Sequence, residues 1–123
     1  MADLDHFKRV NDTYGHEVGD KVLCAFGDLL RRCTRATDIV ARFGGEEFVV
    51  LMPATDLAQA VVIAERIREA FASCPVAPLA DPATASFGVA ALVAGQHGPL
   101  LLQCADRALY AAKQAGRNRV TAG

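Results

Sequence analysis

The sequence lacks any apolar run that approaches the ~20 residues needed to span a membrane. It also lacks internal repeats, low-complexity tracts and a recognisable linker. Its 13 basic and 14 acidic residues leave a formal charge of -1, which gives no sign of a surface for a nucleic acid polymer. At 123 residues, 52% of them hydrophobic, the chain has the size and composition of one globular domain. We therefore expect a single cytoplasmic domain over residues 1–123 that makes no membrane contact.

Cysteine is sparse, and its pattern excludes the usual structural metal sites. The four cysteines contain no Cys-x-x-Cys pair and show no metal-ligand spacing. Cys33 and Cys104 fall in phase with apolar positions of predicted helices. This pattern predicts buried reduced thiols rather than disulfides.

Three segments carry apolar side chains at helical spacing, namely residues 17–34, 56–72 and 100–115. Asp56 is a predicted N-cap of the second helix, and Gly116 is predicted to end the third. These segments alternate with short β-rich runs, so the sequence predicts an α/β fold.

The β-rich runs cover residues 38–43, 46–52, 84–93 and 119–121. The first two flank Gly44-Gly45, which is a strong hairpin signal. We expect this antiparallel hairpin at the centre of the sheet. A further strand is predicted at the beginning of the chain, where Met1-Ala2 leads straight into acidic residues. A central strand normally carries several apolar residues first, so we expect this strand to be cut.

Two acidic clusters are candidates for a metal site. Asp3 and Asp5 stand at i and i+2 on a strand, so both could face one cation. Alternatively, Asp5 caps a short helix at residues 6–13 and Asp3 is solvated. Gly44-Gly45 allows positive φ and the close approach of a bulky ligand, with two glutamates directly after it. By itself, this segment is also compatible with a plain turn.

A basic pair is a candidate phosphate site. Lys113 and Arg117 stand at i and i+4, which aligns them on one face if the last helical turn continues. The alternative is that basic residues near a helix C-terminus only favour the helix dipole.

Taken together and in this order, the motifs resemble the signature of GGDEF diguanylate cyclases. They are Asp3-Leu4-Asp5-x-Phe7-Lys8-x-x-Asn11-Asp12-x-x-Gly15-His16-x-x-Gly19-Asp20, Arg42-x-Gly44-Gly45-Glu46-Glu47-Phe48 and Lys113-x-x-Gly116-Arg117-Asn118. Glu46 replaces the aspartate that names the motif but retains a carboxylate. The resemblance implies a central, mostly antiparallel sheet flanked by helices, a nucleotide-cyclase or palm-like fold with a ferredoxin-like core. It also implies that the chain lacks the N-terminal helix and the start of the first strand of that domain.

The resemblance assigns roles to individual residues. It implies that Asp3, Glu46 and the Leu4 carbonyl bind Mg²⁺ or Mn²⁺, and that Glu47 either completes the metal site or helps to deprotonate the attacking hydroxyl. The other implied sites are a guanine pocket, a phosphate site and a turn approached closely by the ligand. The implied guanine pocket consists of Asn11, Asp20 and Leu23. The implied phosphate site consists of Phe7, Lys8, Lys113 and Arg117, and the closely approached turn is Gly44 and Gly45.

The implied reaction joins two GTP molecules into cyclic di-GMP with loss of pyrophosphate. Each domain would bind one GTP, so catalysis would need a homodimer that faces itself across a two-fold axis. The resemblance further implies an upstream sensory or dimerisation module, which could anchor the parent protein to a membrane.

A fourth match concerns regulation. Arg35-x-x-Asp38 stands five residues before Gly44, where the family's inhibitory cyclic di-GMP site lies, and Arg66 matches its secondary contact. The alternative is an ordinary surface ion pair at i and i+3. For the whole chain, the alternative to an active cyclase is a catalytically incompetent module that binds nucleotide or cyclic di-GMP. An adenylyl-type cyclase is disfavoured by the guanine pair Asn11 and Asp20.

Overall fold

The computed structural model describes all 123 residues and confirms the α/β class. No helix in it combines the length and the apolar character that crossing a membrane requires. The elements follow in the order β1 (Ala2–Leu4), α1 (Phe7–Tyr14), α2 (His16–Cys33), β2 (Ile39–Arg42), β3 (Glu47–Leu51), α3 (Leu57–Ala72), β4 (Ala85–Val89), α4 (Gly98–Gln114) and β5 (Val120–Ala122).

The five strands form one sheet in the order β2-β3-β1-β4-β5. All neighbours are antiparallel except β4 and β5, so the prediction of a mostly antiparallel sheet is confirmed. The prediction of a central hairpin is wrong, because β2 is an edge strand and β1 is central. A turn signal fixes only the pairing of adjacent strands. The long-range pairing of Ala2 with both Phe48 and Phe87 decides which strand is central.

The aromatic core lies on the sheet face that α2 and α3 cover. The Phe26 ring lies 5.1 Å from that of Phe48, 4.7 Å from that of Phe71 and 6.2 Å from that of Phe87. Phe48 and Phe87 both flank Ala2, so all three point to the same side. Because successive side chains of a strand point to opposite faces of the sheet, Asp3 points to the face opposite the aromatic core.

α4 packs against that opposite face at Gly88 of β4. A Cβ atom at Gly88 would overlap the Ala105 carbonyl oxygen and the Leu109 amide nitrogen. The absence of a side chain therefore lets the α4 backbone lie directly on the sheet. This close packing places the C-terminal half of α4 above the strand that carries Asp3.

The helix termini follow local chemistry. Asp56 and Gln59 form the two reciprocal hydrogen bonds of a capping box at α3, which confirms the predicted N-cap. Gly116 has φ 118°, and the amides of Gly116 and Arg117 donate to the carbonyls of Lys113 and Ala112. This is a Schellman motif, so the predicted end of the third helix is confirmed.

Two local predictions were partly wrong. The run over residues 84–93 stays in the sheet only to Val89, which pairs with Ala122 at the end of β5. Leu92 and Val93 lie beyond the end of β4 and are exposed. All four cysteines are free, as predicted, but Cys24 is exposed and the other three are only half-buried.

Candidate active site

The candidate site begins with two carboxyl groups that separate parts of the chain bring together. Asp3 is a buried residue of β1, and Glu46 lies in the turn between β2 and β3. Their side chains are close enough for one carboxyl to hydrogen-bond to the other. The Leu4 amide also donates to the Glu46 carbonyl oxygen over 3.2 Å, which fixes the turn against β1. The buried position of Asp3 excludes the alternative that it is solvated.

The environment of Glu46 disfavours its negative charge. Burial raises the pKa of the Glu46 carboxyl, and the neighbouring Asp3 carboxylate raises it further. Lys113 opposes these effects with its positive charge, and Glu47 adds a smaller repulsion. A bound cation would offset the same repulsion, so this arrangement fits a metal site.

The possible protein ligands are few. No three side chains of the His, Cys, Asp or Glu type are placed together to hold one ion. A cation here would be held by the Asp3 and Glu46 carboxylates, backbone oxygen and a further ligand. Mg²⁺ commonly uses one or two carboxylates together with substrate phosphates, so two carboxylates fit this ion.

Glu47 lies on the same face as Asp3, because the two residues pair across β1 and β3. A Cβ atom at Gly44 would come within 2.7 Å of Glu47 Oε2. Gly44 therefore leaves room for the Glu47 carboxylate. Gly45 has open space where a side chain would be. Neither glycine has positive φ, so that conformational reason for the pair was wrong.

The Arg42 guanidinium hydrogen-bonds to the backbone of the Gly44-Gly45 turn, a role that was not predicted from the sequence. Its Nε donates to the Gly44 and Gly45 carbonyls over 3.1 Å each, and its Nη2 donates to Gly45 over 2.7 Å. The guanidinium thus fixes the backbone just before Glu46. The sequence signal that could have indicated this role is the position of Arg42 at the start of the Gly-Gly-Glu-Glu motif.

Lys113 contributes positive charge to the acid pair. Its Nζ lies 2.9 Å from Asp3 Oδ2. Arg117 does not align with Lys113 along a helix, because α4 ends at Gln114 and Arg117 has φ 64°. The predicted i, i+4 alignment is therefore wrong, although both cations remain near the C-terminal end of α4.

A second polar position lies between α1 and α2. The Asn11 Oδ1 atom is buried without a hydrogen-bond partner. A Cβ at Gly19 would overlap this oxygen, so Gly19 provides the space for the Asn11 carboxamide. Asp20 follows on α2 and is exposed. An orphaned buried acceptor beside an exposed carboxylate is suited to a ligand that carries N–H groups.

Leu23 lies one turn further along α2 and is buried. It lines a cavity of about 290 Å³ between α2 and the β2–β3 hairpin, together with Cys24, Gly27, Asp28, Arg31, Val40, Arg42 and Phe48. A larger groove of about 490 Å³, mostly apolar, lies at the Met1 end of β1. None of Asp3, Glu46 and Lys113 lines the larger groove, so it is separate from the candidate site.

The N-terminus of α1 faces no capping side chain. The helix begins at Phe7, its N-cap is His6 with φ 53°, and no side chain accepts a hydrogen bond from its first turn. Phe7 is buried and Lys8 is exposed. Helix N-termini with free amides favour anions.

The Asp5 carboxylate is held by hydrogen bonds within the protein. It does not cap α1, and its buried carboxylate accepts hydrogen bonds from the Thr84 and Ser86 hydroxyls and from the Asn118 amide. Thr84 and Ser86 gave no motif signal, because their role depends on the pairing of β1 with β4.

The Arg35–Asp38 pair is an ion pair with Nη2 to Oδ1 at 3.3 Å. Arg35 Nη2 also donates to the Pro53 carbonyl over 3.0 Å and to the Thr55 hydroxyl over 2.6 Å. Arg66 is exposed on α3 and makes no ion pair. The local ion pair is therefore present, and an additional role in binding a ligand stays a prediction.

Comparisons with known proteins agree with the motifs. The profile of the family described as diguanylate cyclase, GGDEF domain, matches residues 1–119. The chain is 48% identical to the diguanylate cyclase DgcP of Pseudomonas aeruginosa over 122 residues, covering 98% of this chain and 18% of DgcP. It thus spans only a small part of that relative's length.

Two solved structures are closely similar. One is the active GGEEF domain of a diguanylate cyclase from Vibrio cholerae, with a TM-score of 0.93 and 36% identity, covering 98% of this chain and 78% of that one. The other is the GGDEF domain of DgcB from Caulobacter crescentus in complex with c-di-GMP, with a TM-score of 0.92, 37% identity, and coverage of 98% and 74%.

Proposed function

Because this chain belongs to the GGDEF family of diguanylate cyclase domains, we propose that it condenses two GTP molecules into cyclic di-GMP and pyrophosphate. The observation that carries the proposal is the convergence of Asp3 and Glu46 beside the Lys113 ammonium. A module that only binds the product would need neither this acid pair nor a cation next to it. GTP as substrate is consistent with a cytoplasmic reaction.

The proposed metal site uses the Asp3 and Glu46 carboxylates and the Leu4 carbonyl to hold Mg²⁺ or Mn²⁺. A divalent cation bound there would supply positive charge to the reacting phosphate and lower the pKa of the attacking 3′-hydroxyl. Glu47 faces the same side of the sheet as Asp3, where it would orient or deprotonate that hydroxyl. A glutamate at position 46 is compatible with turnover, because the similar Vibrio cholerae domain has the GGEEF sequence and is described as active.

The phosphate site combines Lys113 and Arg117 with the free amides at the start of α1, near Phe7 and Lys8. Lys113 forms an ion pair with Asp3, so a phosphate bound to Lys113 would lie next to the acid pair. Two cations and a helix N-terminus offset part of a triphosphate's charge.

The guanine site uses Asn11 and Asp20, with Leu23 packed against the base. The Asp20 carboxylate would accept from the N1–H and N2–H groups of guanine, and the orphaned Asn11 oxygen would accept a further N–H. Adenine does not present these donors in that arrangement. The site therefore favours GTP over ATP.

Replacement of Gly19 by alanine is expected to weaken binding of a non-hydrolysable GTP analogue by at least about 10-fold, roughly one lost hydrogen bond. The new methyl would displace the Asn11 carboxamide. Calorimetry measures the affinity, with Gly98→Ala as control because nothing lies within 4 Å of a Cβ there. Equal affinities of wild type and Gly19→Ala would remove Asn11 from the guanine site.

Turnover requires a homodimer, since one domain supplies one GTP and the two reacting ends must face each other. The test is to incubate the purified protein with GTP and Mg²⁺ and to identify the product by mass. We expect cyclic di-GMP, with a rate per domain that rises with protein concentration, and no product from ATP. Binding of the GTP analogue without product at any concentration would favour the alternative, a nucleotide-binding module.

The product would inhibit through Arg35 and Asp38, with Arg66 as a secondary contact. A guanidinium can stack on guanine and bind phosphate, while a carboxylate accepts guanine N–H groups. The c-di-GMP complex of the similar DgcB domain supports product binding by this family.

Replacement of Arg35 by alanine is expected to raise the cyclic di-GMP concentration needed for half-inhibition by about 10-fold or more, since charge-assisted hydrogen bonds are lost. Inhibition of initial rates measures the effect. Arg32→Ala, which removes the same charge from the exposed end of α2, serves as control. If both variants are inhibited like wild type, Arg35 and Asp38 form only a surface ion pair.

A further inference from the structure

Asp5 is a buried carboxylate to which the proposed reaction assigns no role. It is 6% exposed and accepts three hydrogen bonds. The Thr84 and Ser86 hydroxyls each donate over 2.7 Å, and the Asn118 amide donates over 3.0 Å. A carboxylate has about four lone-pair sites, so these donors occupy most of them. Asp5 is therefore bound to the protein rather than presented to a ligand.

The Asn118 amide belongs to the segment that carries Arg117. Directly after the Schellman motif, Arg117 has φ 64° and Asn118 has φ 45°. Two successive non-glycine residues with positive φ are costly and persist only where surrounding contacts fix them. Asp5, directly after the central strand β1, provides such a contact to the amide that follows Arg117.

Other contacts complete the support of this segment. The Asn118 Oδ1 atom accepts from Arg68 Nη1 of α3 over 3.1 Å, and the Arg119 carbonyl accepts from the Phe87 amide of β4 over 2.9 Å. The Arg68 contact is exposed, whereas the Asp5 contact is part-buried. Asp5 thus provides the main polar contact between the end of β1 and the peptide that joins Arg117 to Asn118.

We propose that Asp5 is a positioning residue that fixes Arg117 where the outer phosphates of GTP bind. The β1 strand and the turn residue directly after it would then place both the Asp3 carboxylate and, through the Asn118 amide, the arginine that acts on the triphosphate. This inference rests on the proposed function, in which Arg117 binds phosphate.

The test compares Asp5→Asn with Asp5→Ala. An asparagine oxygen can accept from the Asn118 amide while its NH₂ donates to the Ser86 hydroxyl, so the connection is kept without the charge. Alanine leaves the donors unpaired and releases the segment. Thr84→Val removes one hydroxyl donor at nearly constant shape and serves as a milder variant should Asp5→Ala not fold.

Affinity is measured for a non-hydrolysable GTP analogue and for GMP, which lacks the outer phosphates. We expect Asp5→Ala to weaken the GTP analogue by about 10-fold or more, with GMP little changed, and Thr84→Val by about 3-fold. Asp5→Asn is expected to retain most of the affinity. In turnover, Asp5→Ala should raise KM for GTP more than it lowers kcat. Arg117→Ala is the reference for the full loss of selectivity for the triphosphate.

Three results would overturn the inference. If Asp5→Asn loses as much affinity as Asp5→Ala, the negative charge itself is required, as in a metal ligand. If Asp5→Ala, or Thr84→Val in its place, leaves the ratio of GTP analogue to GMP affinity unchanged, Arg117 is positioned by other contacts. A wild-type protein that binds no GTP analogue would instead refute the proposed function, and this inference with it.

Discussion

Replacement of Glu46 by glutamine is expected to lower cyclic di-GMP synthesis by at least about 100-fold, as for the loss of a metal ligand or of a group that stabilises transition-state charge. Glutamine keeps the shape of the side chain but removes the negative charge that the proposed cation needs. The fold is expected to remain intact, because Glu46 lies in a turn and its backbone carbonyl, which the substitution keeps, accepts the hydrogen bond from Leu4. The initial rate of product formation, followed by mass or chromatography, measures the effect.

The same substitution is expected to stabilise the protein when no divalent cation is present. Because burial and Asp3 raise the pKa of Glu46 in the folded state, its ionised form opposes folding. This contribution favours the folded state below the unfolded pKa and is lost as the pH rises through the higher folded pKa. Glu46→Gln should therefore melt at a higher temperature than wild type at neutral pH, and the difference should shrink on acidification.

Thermal melts across pH, with and without Mn²⁺, separate the two effects. Mn²⁺ should raise the melting temperature of wild type but not that of Glu46→Gln, since binding to the folded state alone stabilises it. Glu69→Gln is a matched control, because Glu69 is exposed on α3 and remote from the acid pair in sequence and contacts. Unchanged turnover in Glu46→Gln would contradict the metal-ligand role.

Replacement of Gly88 by alanine is expected to destabilise the protein by about 3 kcal/mol or more, at the upper end of over-packing effects. The methyl would overlap backbone atoms of Ala105 and Leu109, and a helix backbone cannot yield as a flexible side chain does. α4 would have to move away from β4. For a chain of this size we expect a melting temperature lower by roughly 10 °C.

Activity should fall beyond this loss of stability, because a displaced α4 also moves Lys113 away from Asp3. The control is Gly27→Ala in α2, where a Cβ would meet its nearest atom, in the Phe48 ring, at 3.9 Å. That variant is expected to gain up to about 1 kcal/mol from improved helix propensity. Denaturant unfolding of both variants measures the free energies. A Gly88→Ala protein as stable as wild type would show that α4 and β4 can separate at little cost.

Local order was predictable from the sequence because local chemistry determines it. Helical periodicity located α2, α3 and α4, Asp56 marked the start of α3, and Gly116 marked the end of α4. The motif order also identified the family, and with it the acid pair. The periodicity, the N-cap and the helix-ending glycine depend on residues within a few positions of one another, whereas the acid pair was assigned through the family resemblance.

Tertiary structure alone decided how these pieces meet. Which strand is central depends on Ala2 pairing with both Phe48 and Phe87, and the role of Asp5 depends on donors that lie 79, 81 and 113 residues away. The need for glycine at position 88 was likewise not predictable from the sequence, because it comes from the α4 backbone that packs against Gly88 and not from residues nearby in the chain. Contacts between distant segments form only when the whole core is packed, and no local pattern specifies their partners.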